Sequence, residues 1–313
     1  MMRCLLFFLC VWAAIGAQAD GYRTLNEPAD AYAEELAKLE DRAKVQWSAA
    51  VDLAHLYYMH GQFDKALTLV DALLNKAPDR QNLQELRTRV YIGQIREAGL
   101  FGKMGIAKRM RAACEQDLAR DPANATAMQC LAQFYLRAPG IAGGSDAKGM
   151  ELVDKVAELD RAKYHFLYYV EAEEHDRSEA AGHIAKAVAV GQDPDLIGIA
   201  TRFHLAGEEF DAAFGYLDQW RQAAPQDREL PYQFGRAAAM AGQRLDEGEA
   251  ALLDFLKGFT CLRGRDYRAQ AHFYLGRIFE QRGELELARE AYERARQLDS
   301  DLDGLGRALE RLS

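Results

Sequence analysis

Apolar residues recur along this chain at steps of three and four, in blocks ended by glycine or proline, the spacing that one face of a helix can bury. Near the C-terminus Leu275, Gly276 and Phe279 share one face of a first helix, Gly283 ends it, and Ala288, Tyr292 and Ala295 share one face of a second. The same order appears as Leu53, Ala54 and Tyr57, then Gly61, then Phe63, Ala66, Val70 and Leu73, closed by Pro78. It returns as Ile199, Ala200 and Phe203, then Gly207, then Ala213, Leu217 and Trp220, closed by Pro225. Phe234, Gly235 and Ala238 precede Gly242, Leu252 and Phe255. Looser units run from Leu131 to Val156 and from Tyr164 to about Val190, and a lengthened one from Arg80 to Asp121.

Self-similarity of this kind marks a stacked repeat, because one helix pair cannot bury its apolar face alone and neighbours must cover it. The pattern predicts an all-α solenoid of about seven helix pairs over residues 47–299, with short turns and no sheet. A helix from Pro28 to about Lys44, within segment 20–46, caps one end with Leu36 and Leu39 facing in. A helix from Leu302 to Leu312, within 300–313, caps the other. Two shorter solenoids hinged near Tyr164 satisfy the same pattern. Trp220 occupies a second-helix packing position and is expected in the core.

The unit from Ala269 to Asp299 resembles the tetratricopeptide-repeat (TPR) motif over its whole length of about 34 residues. The resemblance implies an all-α right-handed TPR superhelix whose first helices line a concave groove for a protein or peptide. One turn, Pro139-Gly140-Ile141-Ala142-Gly143-Gly144-Ser145, is longer than a standard TPR turn. Residues 80–190 there resemble the expanded-turn subfamily that includes the periplasmic T-component of TRAP transporters. That second resemblance implies an alternative: a small-molecule-binding accessory component of an envelope transporter.

Within the implied groove, the register set by Gly242 and Gly283 makes Tyr232 equivalent to Phe273 and Arg236 equivalent to Arg277. Two aromatic rings and two guanidinium groups repeated along one surface suit a peptide with acidic or C-terminal carboxylate character. His55, Tyr58, Tyr168 and Ile197 continue the same surface upstream. The competing arrangement pairs the arginines with neighbouring acids such as Glu280 on a solvated face, where such pairs contribute little.

Composition narrows the classes. Hydrophobic residues make up 49% and charged residues 28%, a folded rather than a disordered chain. The net charge of −9 repels a phosphate backbone, so nucleic acid is not an expected partner. Lys103 to Arg111 holds four basic residues and reads as a solvated helix face. Arg3, the apolar run Leu5 to Ile15 and Ala17-Gln18-Ala19 form a secretory leader cleaved after Ala19, which predicts a periplasmic or secreted protein. The apolar run is too short to span a membrane, and no later segment reaches spanning length.

Candidate chemistry is sparse. Cys4 and Cys10 leave with the leader, and Cys114, Cys130 and Cys261 remain. Cys114 and Cys130 lie equally far on either side of Pro122 on helices expected to run antiparallel, so they form a candidate disulfide; otherwise they pack as small apolar groups. No zinc spacing, nucleophile elbow, phosphate-binding loop or nucleophile–base pair is present, so no catalytic, cofactor or metal site is expected. Glu171 and His175 are i,i+4 neighbours that with His183 have metal-ligand chemistry, but the spacing is ordinary on a solvated helix. Asn124-Ala125-Thr126 is a glycosylation sequon. The function that follows is a non-catalytic exported scaffold for protein–protein interaction.

Overall fold

A computed structural model describes residues 21–313, apart from 26, 28–30, 174 and 259. The leader and its cleavage site lie outside the described residues. Helix α1 (Ala31–Ala43) leads into α2 (Trp47–Met59) with α3 (Phe63–Lys76), and α4 (Gln81–Glu97) with α5 (Leu100–Arg120). Then come α6 (Ala125–Arg137) with α7 (Asp146–Leu159), α8 (Arg161–Ala172) with α9 (Arg177–Gly191), and α10 (Pro194–Ala206) with α11 (Phe210–Ala223). The series ends in α12 (Glu229–Ala241) with α13 (Leu245–Leu256), α14 (Arg268–Gln281) with α15 (Leu285–Leu298), and the short α16 (Leu305–Arg311). Leu39 of α1 is buried and Leu36 packs against the same cluster, as a capping helix requires.

Several pairs close by fitting a large side chain against a glycine, Leu136 on Gly149, Trp220 on Gly198, Leu252 on Gly235 and Tyr292 on Gly276. A Cβ on Gly276 would stand 2.5 Å from the Tyr292 ring, so glycine is what lets α14 and α15 approach. First helices also touch those of the next pair, α2 on α4, α4 on α6 and α12 on α14, which lines one side of the stack with first helices. Buried residues from Tyr169 through Ile184, Phe203 and Trp220 to Phe234 form one cluster. Another joins Val153 and Leu167 next to Tyr164. Helix α8 contributes to both clusters, Leu167 to one and Tyr169 and Val170 to the other.

Side-chain caps start several helices: Asn124 accepts from the Ala127 N–H, Asp160 from Lys163 and Asp176 from Glu179. The Asn124 amide also bonds to Gln84 at 3.0 Å and the residue is buried, so this sequon asparagine is a structural cap with no room for a glycan. Helix α8 ends at Ala172, so Glu171 and His175 do not share a helix face; His183 instead meets His165, Nδ1 to Nδ1 at 3.3 Å.

One element departs from the all-helical expectation. Between α13 and α14, β1 (Cys261–Leu262) pairs antiparallel with β2 (Arg265–Asp266). The turn residues Arg263 and Gly264 have φ of 50° and 87°, the left-handed pair that a two-residue hairpin favours. This hairpin reaches the first pair. The Gly264 N–H donates to the Met59 carbonyl at 2.8 Å, and a Cβ on Gly61 would lie 2.9 Å from the Gly264 Cα.

The N-terminal segment lies along the last pairs as well. Tyr22 OH donates to His272 Nδ1 at 3.1 Å, and His272 Nε2 donates to Glu27 at 3.2 Å, so the ring carries its hydrogen on Nε2. That hydrogen bond holds the Glu27 carboxyl below its ordinary range. Arg23 pairs with Glu290 at 2.6 Å and Arg228 with Glu35 at 3.3 Å. The two ends of the stack thus meet.

Cys114 on α5 and Cys130 on α6 form a disulfide, with Cα atoms 6.2 Å apart. Cys261 is free and half-buried, and burial pushes its thiol up to about 11. In denatured, unreduced protein cleaved after Ala19, thiol titration is expected to find one free thiol, that of Cys261. Three would mean the pair is reduced. Reducing the bridge should cost about 3 kcal/mol for a loop of this length.

Candidate functional site

Because the ends meet and the hairpin crosses the opening, the first-helix side of the stack encloses a cavity of about 760 Å³. That is within the range of ligand sites, roughly 300–1,000 Å³. Its wall is drawn mainly from α2, α4, α6, α8, α10, α12 and the hairpin, and it mixes apolar side chains with charged ones. Lys163 Nζ reaches Glu85 at 2.7 Å, and Arg89 pairs with Asp195.

The most concentrated chemistry surrounds Glu229. Arg202 of α10 donates through Nη1 to Glu229 Oε1 at 2.9 Å, Arg263 of the hairpin donates to Oε2, and Gln233 donates to Oε1 at 2.9 Å. Burial, first, and the neighbouring Arg202 cation, second, lower the Arg263 guanidinium to about 10. Burial lowers Arg202 as well. Two partly buried cations, 29% and 26% exposed, therefore share one carboxylate. Beside them Asp227 accepts from Trp220 Nε1 at 3.2 Å, and burial raises its carboxyl above the ordinary range. Arg96 stands exposed at the rim and makes no ion pair with a described residue. The arrangement has spare guanidinium donors in a low-dielectric recess, the setting in which bidentate recognition of a carboxylate is strongest.

Of the residues singled out from the sequence, His55 and Tyr58 stand on this wall. The others do not. Tyr232 is buried, its ring 4.7 Å from that of Tyr267 and 5.3 Å from that of Phe255. Phe273 packs against Tyr292 with ring centroids 5.6 Å apart. Arg236 donates to Gln233 at 3.4 Å, and Arg277 lies beside Glu280, whose carboxylate is taken by Arg311 at 2.8 Å. Ile197 is in the core, and Tyr168 stacks on His183 at 4.8 Å. The reason is angular: three residues of helix turn Tyr232 by about 60° from Glu229, enough to aim it at the next pair rather than into the cavity.

Arg202, Arg263 and Glu229 escaped the sequence reading. Arg202 and Glu229 sit beside packing positions and look like solvated charges. Arg263 belongs to no repeat, so no register places it; the Leu262-Arg263-Gly264-Arg265 turn was the one available signal.

Residues 269–302 match the family model of the tetratricopeptide repeat. No curated protein matches the chain. Among solved structures, the APC/C hetero-tetramer Cut9-Hcn1 aligns with a TM-score of 0.52 and 13% identity, over 88% of this chain and 51% of that one. This chain thus spans about half the length of that protein. YrrB, described as a TPR protein with an unusual peptide-binding site, aligns with a TM-score of 0.48 and 19% identity, over 63% of this chain and 98% of that one. PilW, a type IV pilus biogenesis factor, gives 0.47 and 16%, over 75% and 98%. The resemblance of residues 80–190 to the expanded-turn subfamily has no counterpart among these matches. The stacked helix pairs, the repeat matched at 269–302 and the fold shared with Cut9-Hcn1 together give a chain of tetratricopeptide-repeat fold.

Proposed function

We propose that this protein is a non-catalytic interaction scaffold, exported through its N-terminal leader to the periplasm or beyond, whose inner cavity holds an acidic segment of a partner protein. The observation that carries the reading is the convergence of Arg202 and Arg263 on the single carboxylate of Glu229, with Arg96 at the rim. A partner carboxylate entering the cavity takes over donors that Glu229 only partly satisfies. The mixed polarity of the wall supports a peptide backbone, which needs donors and acceptors along its length. Arg3, the Leu5 to Ile15 run and Ala17-Gln18-Ala19 support the export step.

Fluorescence anisotropy with labelled peptides of graded Asp and Glu content, each with a free or amidated C-terminus, tests this. Acidic peptides should bind, and Arg202→Ala or Arg263→Ala should each weaken them by roughly tenfold to a hundredfold, the loss of one charge-assisted hydrogen bond. An Arg236→Ala, Arg277→Ala variant should bind as wild type. Binding indifferent to peptide charge, or lost only in the latter variant, moves the site to another surface.

A further inference from the structure

Helix α5 has 21 residues, whereas α6 and α3 have 13 and 14. Its second half is anchored, with Met110, Cys114 and Asp117 buried and Cys114 bridged to α6. Its first half is more open: Ile106 and Ala107 pack, partly buried, against the same cluster, but no residue from Phe101 to Arg109 is buried and Phe101 is 90% exposed. Arg111 lies over the Phe134 ring at 5.5 Å and stands 3.1 Å from where a Cβ on Gly143 would be. The anchored half of α5 therefore runs beside the expanded turn, in which Ile141 is 89% exposed. From that level the helix continues about 15 Å to Phe101, ten residues at 1.5 Å each.

Charge on this overhang has the opposite sign to the molecule. Lys103, Lys108, Arg109 and Arg111 fall within residues 100–113, and no acidic residue does, although the net charge of the chain is −9. Arg111 pairs with Glu115 at 3.3 Å. Lys103, Lys108 and Arg109 are exposed and make no ion pair with a described residue. Scattered exposed apolar groups are ordinary on a protein surface, and so is a lone basic residue. An almost fully exposed phenylalanine on a projecting helix with three unpaired cations is a different case.

We propose that the first half of α5, together with Ile141, docks this protein on an anionic membrane surface. Phe101 and Ile141 enter the boundary between headgroups and acyl chains, while the lysines and arginines sit among the anionic headgroups. A lipid surface fits better than an acidic protein because the overhang has little relief. A Cβ on Gly99 or Gly105 would meet nothing within 4 Å, so the surface there is open. A bilayer needs no shape complementarity. Docking is peripheral, since among the described residues no helix is long and apolar enough to cross a membrane. It is independent of the cavity.

Flotation of the purified protein with phosphatidylcholine vesicles, with and without phosphatidylglycerol, provides the test. Binding should require phosphatidylglycerol and fall as salt is raised. Phe101→Ser should weaken it by roughly tenfold, the burial of one large apolar side chain. Lys103→Ala, Lys108→Ala and Arg109→Ala should each weaken it by about fivefold. These side chains touch little, so circular dichroism melts should match wild type. Equal binding to both vesicle types, binding unchanged in the four variants, or no vesicle binding, with or without capture of an acidic protein through α5, overturns the proposal.

Discussion

Trp220→Ala is expected to lower the unfolding free energy by about 3–5 kcal/mol, as truncating a large core side chain does. The indole is 2% exposed and joins the cluster that runs from Tyr169 to Phe234. Its far edge meets α10 where Gly198 has no side chain: a Cβ there would be 2.8 Å from Trp220 Cη2. The notch fits the indole and nothing smaller fills it, so truncation leaves a cavity across the α10–α11 pair. Losing Nε1 also strips Asp227 of a donor. Trp220→Phe should lose less, because it keeps part of the ring packing while giving up the notch contact and the hydrogen bond, the latter worth about 1 kcal/mol. Urea denaturation followed by circular dichroism measures both. A loss below about 1 kcal/mol for the alanine variant would mean that the side chain does not pack as described.

Arg87→Met should cost about as much, 3–5 kcal/mol, because it leaves a buried carboxylate with a poorer counter-charge. Arg87 on α4 donates to Asp117 on α5, and their side chains are 9% and 5% exposed. Arg120 reaches the other oxygen of Asp117 at 3.3 Å but is itself largely in water. Replacing both members, Arg87→Met with Asp117→Leu, should recover most of the loss, since a buried ion pair is often matched by apolar groups of similar size. The same denaturation experiment decides. If the double variant is no better than the single, the pair is worth more than its desolvation, and if the single costs less than about 1 kcal/mol, water reaches it. The pair also bears on function. With the Cys114–Cys130 bridge it ties the second half of α5 to the body, which leaves the first half projecting on a rigid base.

Much of the fold was legible because the signals are local. Leu275, Gly276 and Phe279 against Ala288 and Tyr292 describe one helix pair within one repeat, and recurrence of the pattern places the rest. Both capping helices and the lengthened α4–α5 unit were readable in the same way. Equal offsets about a turn made the Cys114 and Cys130 pairing a candidate beside two packed thiols, and the structure forms the bridge. The cavity wall was not legible to the same degree. The repeat register makes Tyr232 and Phe273 equivalent, yet equivalence says that two residues point alike, not where they point. A rotation of about 60° separates the cavity wall from the seam between pairs.

By itself, then, the sequence determined the helices, their pairing and the repeat family, since period, caps and turn glycines act over a few residues and recur. Only the tertiary structure decided that the stack closes on itself. That closure rests on contacts with no repeat behind them, such as Tyr22 with His272 across 250 residues, and Gly264 with Met59. It also decided which charges matter. Arg202, Arg263 and Glu229 are ordinary in their own segments, and meet because three distant backbone positions bring them into one recess. There, low dielectric multiplies what water would have screened.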